Sequence, residues 1–200
     1  MLSQIRPALV MIILFTILTG LAYPLAITGL AQTLFPGAAN GSLIRMNGVV
    51  VGSRLIGQNF SQARYFHGRP SATTAPDPKD ATKTIDAPYN AANSSGSNLG
   101  PTSKALVDRV KSEVAALGGG PGHPVPADAV TTSASGLDPD ISPAFARLQV
   151  ARVAAARNLP EDRVAALVAA HIQRPFLGLV GEPRVNVLLL NLDLDRLSSS

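Results

Sequence analysis

A short stretch rich in serine and aspartate is the part of this sequence that comes nearest to a catalytic site. Ser133 and Ser135 precede Asp138 and Asp140, so a hydrolase site could be assembled from them and one of the 3 histidines. The G-x-S-x-G elbow and the HExxH helix that place such groups are absent. Calcium would need more oxygen ligands than the two aspartates supply. Serine and Asp-Pro sequences ordinarily form turns, so we expect no catalytic residue and no metal site.

A second polar stretch, residues 89–103, contains many amide and hydroxyl side chains and no charge. It leads into a predicted helix that begins at Pro101 and ends at Gly118, with Val107, Val110, Val114 and Leu117 on one face. A polar loop before a helix can bind an anion, but the spacing of a phosphate-binding P-loop is missing. We favour a turn whose asparagine and serine side chains bond their own backbone.

Composition excludes several classes of function. The formal charge of +4 is spread along the chain, and aromatic residues make up only 4%. Neither a basic stripe nor a set of base-stacking aromatics is present, so we expect no nucleic-acid partner. The chain contains 0 cysteines, which removes disulfides, thiolate metal sites and thiol nucleophiles.

The element that must position everything else is an apolar run between Arg6 and Arg45 that contains no charged side chain. Residues 8–30 supply the roughly 20 apolar residues that cross a bilayer as a helix. Pro24 is badly placed for a signal-peptide cleavage site, so we expect an uncleaved anchor. The sequence therefore predicts a transmembrane helix (residues 1–35) followed by one extracytoplasmic α/β or α+β domain (residues 36–200).

The anchor contains residues that suit either helix packing or a plain signal anchor. Gly20, Tyr23, Pro24 and Gly29 are the candidates for packing, because small residues let helix backbones approach closely and transmembrane helices tolerate proline. Arg6 and the N-terminus flank one side of the helix, and the next basic residue lies well beyond the other side. This bias predicts a cytoplasmic N-terminus.

Several local patterns predict the elements of the domain. Asn47-Gly48 predicts a hairpin over residues 42–56, whereas residues 71–88 are typical of a long exposed loop. Residues 130–132 could form a short strand, and the apolar residues 185–192 predict a buried last strand.

Two helices are predicted between these strands. Ser142-Pro143 begins the first, with Ala144, Leu148, Ala151 and Ala155 facing inward and Arg147, Arg152 and Arg157 in solvent. Pro160 opens the second, whose buried face carries Val164, Leu167, Val168 and His171. We interpret His67 and His171 as structural hydrogen-bonding residues, and Phe60, Tyr65 and Phe66 as a small core or a docking surface.

An ordered set of short motifs resembles one family along nearly the whole chain. The motifs are Gly20 to Pro24, Gly41-Ser42-Leu43, Gly57-Gln58, Tyr65-Phe66-His67-Gly68-Arg69-Pro70-Ser71, Ser94 to Pro101, Thr132 to Pro139, Ile141-Ser142-Pro143, Gly181-Glu182-Pro183 and Val185-Asn186-Val187-Leu188. Together they resemble the C subunit (KdpC family) of the Kdp potassium-transporting P-type ATPase. Two positions depart from the family pattern: Ser95 replaces glycine, and Asp140 replaces the more usual histidine.

The resemblance implies a non-catalytic subunit in the bacterial inner membrane. Its implied partners are a channel-like potassium-translocating subunit, a P-type ATP-hydrolysing subunit and a small single-span subunit. The family is described as a catalytic chaperone that raises the ATP affinity of the hydrolysing subunit. A domain outside the membrane does not meet cytoplasmic ATP, so we expect that effect to pass through the membrane helices. No firmly bound cofactor is expected, and K⁺ is the ion that the partner transports.

From the residues and the resemblance together, we expect the two polar stretches to form the contact surface that caps the potassium entrance. The candidate residues are Asn90, Asn93, Ser94, Gly96, Ser97, Asn98, Gly100, Thr102, Thr132, Ser133, Ser135, Gly136 and Asp138. The alternative from another class is a membrane-tethered enzyme or ligand-binding domain that acts alone.

Overall fold

The computed structural model describes residues 2–198, and its contacts divide the chain into two compact units, Met1–Ser53 and Arg54–Ser200. The first unit combines the anchor with the hairpin that comes after it. The predicted boundary between anchor and domain at residue 35 stays a prediction.

One long helix dominates the first unit. After a 3₁₀ turn at Leu2–Gln4, α1 (Ile5–Ile17), a π-helical turn (Leu18–Ala22) and α2 (Tyr23–Leu34) run on as a single helix. Its 30 residues are long and apolar enough to cross a membrane, since a helix rises about 1.5 Å per residue. The prediction of one N-terminal helix that is a candidate for a membrane span is confirmed.

The π-helical turn is a consequence of Pro24. Proline has no N–H to donate, and its ring collides with the carbonyl four residues earlier, which here belongs to Gly20. Widening the turn removes the collision, and the Tyr23 N–H donates to the Leu18 carbonyl five residues back. The helix therefore passes proline without ending.

The rest of the first unit is α3 (Pro36–Ala39) and an antiparallel hairpin of β1 (Leu43–Met46) and β2 (Val49–Ser53). Asn47 and Gly48 have φ values of 50° and 82°, as a type I′ turn requires. The hairpin prediction is confirmed.

The second unit is an α+β domain in which small antiparallel sheets pack with helices. In chain order the elements are β3 (Thr74–Asp77), β4 (Asp80–Asp86), α4 (Lys104–Ala116), α5 (Ala127–Val130), β5 (Asp140–Ile141), α6 (Pro143–Leu148), α7 (Val150–Arg157), α8 (Glu161–Ala170), β6 (Ile172–Gln173), β7 (Arg184–Asn186) and α9 (Val187–Ser198). A separate hairpin pairs β3 with β4, and a three-stranded sheet has the order β5-β7-β6. The predicted combination of one N-terminal apolar helix and an α/β or α+β domain is confirmed.

The core of this unit lies between α6, α7, α8, α9 and the three-stranded sheet. Its most deeply buried apolar side chains are Phe66, Val153, Val164, Val168, Val185, Leu190 and Leu194. Phe66 belongs to a segment without regular secondary structure. Burial of its side chain holds that segment against the helices. Val164, Leu167, Val168 and His171 line the inner side of α8 as predicted.

The predicted buried last strand over residues 185–192 is confirmed at Val185 and Asn186 but wrong from Val187 on, because β7 ends at Asn186 and α9 starts at the next residue. The buried residues Val187, Leu190 and Leu194 recur at helical spacing rather than at every second position. Asn186 favours the change, since its Oδ1 accepts the Leu189 N–H at 3.1 Å, as a helix N-cap does.

Three further predictions are corrected. Residues 71–88 are not a loop throughout, since β3 and β4 form a hairpin there. Residues 130–132 are not a strand, because Val130 is the last residue of α5 and the next two residues have no strand pairing. The helix α4 begins at Lys104 instead of Pro101, because Gly100 accepts the Ser103 N–H at 2.9 Å in a separate turn.

Ser142 caps α6 as predicted, and its Oγ accepts the Phe145 N–H at 3.0 Å. The predicted inner face of α6 and α7 is wrong. The two helices are separate, and the buried residues are Phe145, Ala146, Val150, Val153 and Ala154, whereas Ala144, Leu148, Ala151 and Ala155 are exposed to varying degrees. Arg147 is exposed as predicted, but Arg152 and Arg157 are not in solvent.

Those two arginines bind the segment that contains Phe66. Arg152 donates to the Ala63 carbonyl at 2.6 Å and to the Tyr65 carbonyl at 3.1 Å. Arg157, whose side chain is 4% exposed, donates to the Arg64 carbonyl at 2.6 Å. Carbonyls that have no strand partner thereby gain hydrogen bonds.

We predict that Asn191→Ala lowers the free energy of unfolding by about 2–4 kcal/mol, because it leaves two buried backbone groups unpaired. Asn191 accepts the Phe66 N–H and donates to the Phe66 carbonyl, each at 2.9 Å. Urea unfolding of the full chain in detergent, monitored by circular dichroism, measures the loss. Asn59→Ala, at an exposed asparagine, is the matched control and should change stability by less than about 0.5 kcal/mol. Equal effects of the two variants would contradict the prediction.

Candidate functional site

The two polar stretches singled out in the sequence lie against each other. The Ser94 hydroxyl donates to the Ser135 carbonyl at 2.9 Å, and the Thr132 hydroxyl donates to the Ser97 hydroxyl at 3.1 Å. We call this contact between residues 94–97 and 132–136 the polar seam.

Two glycines make the seam possible. A Cβ added at Gly96 would lie 2.7 Å from the Ala134 carbonyl oxygen, and one added at Gly136 would lie 2.7 Å from the Ser95 carbonyl oxygen. Gly136 also has a φ of 68°, which side chains rarely adopt. Backbone meets backbone here, so the neighbour cannot rotate away.

The candidate interface residues divide into an exposed set and a supporting set. Asn93, Ser94, Asn98, Gly100, Thr102 and Ser135 are exposed, whereas Asn90, Gly96, Ser97, Thr132 and Asp138 are half-buried. Ser133 and Gly136 are buried and hold the seam from within. A contact with another molecule is therefore available mainly to the exposed set.

The residues that lead into the seam are bonded to the strand β3. Asn90 and Asn93 donate their side-chain N–H groups to the Thr74 carbonyl at 2.8 and 3.0 Å. Asn90 also accepts the Ala92 N–H through its Oδ1. The bond from Ala92 to Asn90 is of the expected local kind, whereas the bonds to Thr74 join this stretch to a strand 16 and 19 residues earlier in the chain.

A group of residues that the sequence reasoning did not assign to the site supports the seam from the other side. Arg69 forms an ion pair with Asp138 at 3.0 Å, and its guanidinium also reaches the Thr132 carbonyl at 3.4 Å. Ser71 donates to the Gly136 carbonyl at 2.8 Å. Arg69 and Ser71 belong to one of the motifs that carry the family resemblance, and that was the available signal.

Tyr89 also belongs to this supporting group. Its hydroxyl donates to the Arg69 carbonyl at 2.7 Å. Burial, reinforced by the nearby Asp138 carboxylate, raises the pKa of Tyr89 to about 12. The phenol therefore stays protonated at neutral pH and acts as a fixed hydrogen-bond donor.

The serine and aspartate residues that resembled a hydrolase site form turns. Ser135 Oγ accepts the Leu137 N–H at 3.1 Å, and Asp138 Oδ1 accepts the Asp140 N–H at 3.1 Å. Burial raises the pKa of Asp140, and the Asn186 side-chain N–H and Arg184 partly offset that effect. Among residues 2–198, no group of three or more His, Cys, Asp or Glu could hold a metal ion.

The histidines at positions 67 and 171 have structural partners, as interpreted from the sequence. His171 Nε2 lies 2.9 Å from Asp193 Oδ2, and His67 Nε2 lies 3.1 Å from the Gln62 carbonyl. Burial lowers the pKa of His67 despite that hydrogen bond. Tyr65 is held between Arg64 and Arg157, whose guanidinium carbons lie 5.1 and 4.9 Å from the ring centroid.

Arg69 lines two clefts. One, of about 420 Å³, is lined by His67, Tyr89 and Glu113 among others. The other, of about 320 Å³, has a polar lining that includes Asp128, Asp140 and Arg184. Arg69 lines both clefts, and with its partner Asp138 it supports the seam.

The residues of the predicted membrane-packing set lie along the long helix. Gly20 is within the π-helical turn, Tyr23 and Pro24 come directly after it, and Gly29 lies farther along α2. All four are exposed in the chain by itself.

We predict that the stability of the domain falls as the pH rises from about 10 to about 12. The folded state keeps the Tyr89 proton up to about pH 12, whereas the unfolded chain loses it near 10. The chain has 3 tyrosines and no tryptophan, so ultraviolet absorbance of the phenolates reports the titration. Tyr89→Phe should remove the late step and Tyr65→Phe should keep it. A late step of equal size in wild type and Tyr89→Phe would refute the assignment.

Comparison with known proteins identifies the relationship. Residues 5–196 match the family profile described as "KdpC: K+-transporting ATPase, c chain". A protein of Methylobacterium nodulans named "Potassium-transporting ATPase KdpC subunit" is 66% identical over 99% of both chains. Relatives of that name from Bradyrhizobium diazoefficiens and Methylorubrum extorquens are 65% and 66% identical over 98% and 97% of both chains. The chain that folds into this long apolar helix and seamed α+β domain belongs to the KdpC family.

Proposed function

We propose that this chain is the non-catalytic accessory subunit of an ATP-driven potassium uptake complex. Its partners in this proposal are a channel-like potassium-translocating subunit, a P-type ATP-hydrolysing subunit and a small single-span subunit. Membership of the KdpC family supports the proposal, since relatives along almost the whole chain carry the name of a subunit of a potassium-transporting ATPase.

The observation that supports a contact surface for a partner subunit is the polar seam. The exposed side chains of the seam, Ser94 and Ser135, and those of the flanking residues Asn93 and Asn98 are neutral hydrogen-bonding groups. Glycine contacts hold the backbone of the seam in one arrangement. A preorganised surface loses little conformational entropy when it binds. We assign this surface to the channel-like subunit, around its potassium entrance.

The membrane helix would supply the second contact. A proline-associated π-helical turn exposes backbone near Gly20, and Gly29 leaves room on α2 for another helix to approach. Helices of the partner subunits would pack there. Tyr23 and Pro24 would fix the depth and direction of the packing.

The effect on ATP is a consequence of the proposed orientation. With the N-terminus in the cytoplasm, the α+β domain lies on the outer face of the bacterial inner membrane, away from ATP. Support for this orientation comes from Arg6, which flanks the helix on its N-terminal side. The chaperone effect on ATP affinity is then a coupling between sites, transmitted by packed membrane helices.

Purification of the full chain through a C-terminal tag in mild detergent tests the assembly. We expect a P-type ATPase and a channel-like subunit to co-elute, with potassium-stimulated ATPase activity. A folded chain that emerges alone from a host expressing all the subunits would overturn the proposal.

A pair of glycine variants tests the seam within the same purification. We predict that Gly96→Ala lowers the yield of co-eluting subunits, because the added Cβ meets the Ala134 backbone and forces the seam open. Overpacking of this kind costs about 1–3 kcal/mol. Gly120→Ala is the matched control, since nothing lies within 4 Å of its added Cβ and Gly120 is not among the candidate interface residues.

Circular dichroism establishes that both glycine variants remain folded. If a folded Gly96→Ala variant retains its partners as fully as Gly120→Ala, the seam is not the contact surface.

A further inference from the structure

The connection between β6 and β7 projects four large apolar side chains into solvent. Phe176, Leu177, Leu179 and Val180 are 71%, 78%, 86% and 67% exposed. We call residues 176–180 the apolar tip. Within the second unit, the other exposed large apolar side chains are scattered singly or in pairs, which is usual on protein surfaces.

The tip is a closed turn whose backbone bonds are internal. Phe176 and Val180 exchange both N–H to carbonyl bonds, at 3.0 and 3.1 Å. The Gly178 N–H donates to the Pro175 carbonyl at 3.0 Å, and the Leu179 N–H donates to the Phe176 carbonyl at 3.1 Å. Leu177 and Gly178 adopt positive φ values of 54° and 73° to make the turn this tight.

Internal bonding of this kind is the requirement for entering a lipid environment. Hydrocarbon offers no partner to backbone N–H and C=O groups, so a segment that enters it must pair them within itself. A protein that docked by adding a strand would instead need unpaired backbone at the tip. The pairing observed here covers the N–H groups of Phe176, Gly178, Leu179 and Val180, which lowers the cost of insertion into lipid and disfavours docking by strand addition.

The charges that flank the tip also match a membrane surface. Arg174 precedes the tip and is exposed. Arg184 lies beyond it, where it pairs with Asp140 at 3.1 Å and keeps its side chain 57% exposed. Glu182 is the acidic residue between the tip and Arg184. Arginine side chains at the base of an apolar insertion can reach lipid phosphates while the apolar side chains lie deeper.

The chain also brings a bilayer within reach. The long helix of the first unit is a candidate membrane span, and the second unit begins at the next residue after the first unit ends. Tethering of this kind raises the effective concentration of a weak second contact. A short apolar tip can then remain in the membrane interface without a strong affinity of its own.

We propose that the apolar tip inserts into the interfacial region of the bilayer that holds the long helix, with Arg174 and Arg184 bound to anionic phospholipid headgroups. The contact is a second membrane attachment for the α+β domain. It requires the membrane anchor but not the assembly of the potassium uptake complex, so the two proposals can fail separately.

The absence of cysteine from the chain allows a site-specific test in full-length protein. Leu179→Cys carries an environment-sensitive fluorophore, and the protein is reconstituted alone into vesicles of phosphatidylethanolamine and phosphatidylglycerol. We expect a blue-shifted emission and strong quenching by nitroxides attached to the lipid acyl chains. Ala81→Cys, at an exposed position on β4, is the matched control and should show neither effect.

A second variant distinguishes insertion of the apolar tip into the bilayer from mere proximity of the tip to the membrane surface. Adding Phe176→Asp and Leu177→Asp to the Leu179→Cys protein should abolish the quenching, while circular dichroism remains unchanged because both side chains are exposed. Vesicles of phosphatidylcholine alone should reduce the quenching, since they lack the anionic headgroups.

The competing occupant is an apolar pocket on a partner subunit. In that case the Leu179 probe stays in water in vesicles that contain the chain alone, and it becomes shielded only in the purified complex. That result would overturn the lipid proposal. Quenching of the probes at positions 179 and 81 to the same extent would overturn it as well, because the tip would then lie no deeper in the bilayer than the control position on β4.

Discussion

Burial of Phe66 is the constraint on which the second unit depends. The ring is 0% exposed, so its own backbone N–H and carbonyl are also withdrawn from water, in a segment with no strand to pair them. Asn191 of α9 supplies both missing bonds through its side-chain amide. Gln149 does the same for the adjacent His67, accepting its N–H at 2.8 Å and donating to its carbonyl at 3.1 Å. Two side-chain amides thus replace a neighbouring strand, and an irregular segment becomes part of the core.

The anchored position of Phe66 also determines where the next residues of the chain lie. Arg69, Ser71 and Thr73 come a few positions later, and each supports the polar loops. Thr73 is 1% exposed and donates to the Ala87 carbonyl at 2.6 Å, while Arg69 and Ser71 reach Asp138 and the Gly136 carbonyl. The exposed face of the seam is therefore connected to the core through a short run of hydrogen bonds. Changes at buried Asn191 and at the surface act on one continuous structure.

The features that could be predicted from the sequence were those that local chemistry decides. Asn-Gly favours the positive φ values of a type I′ turn, which Asn47 and Gly48 adopt, and the Ser142 hydroxyl caps the helix that begins at the next residue. The residues 185–192 show the limit, because an uninterrupted apolar run suits a buried strand and a buried helix equally. Only contacts with distant residues select the helix, among them the bonds from Asn191 to Phe66. The inner face of α7 was missed for the same reason, since arginines expected in solvent bind carbonyls of residues 63–65.

For the candidate site, the sequence indicated the two polar stretches but not their contact, which joins positions about forty residues apart in the chain. The arrangement has a physical consequence for the proposed role beside a potassium entrance. Hydroxyl and amide groups carry no net charge, so hydrogen bonds between such a surface and a partner are not screened as salt concentration changes. The charged pair of Arg69 and Asp138 lies partly covered beneath them, with side chains 24% and 29% exposed. A contact built from neutral groups over a covered ion pair can keep its strength at the entrance of an ion pathway, where a contact built from exposed charges would vary with the ion concentration outside.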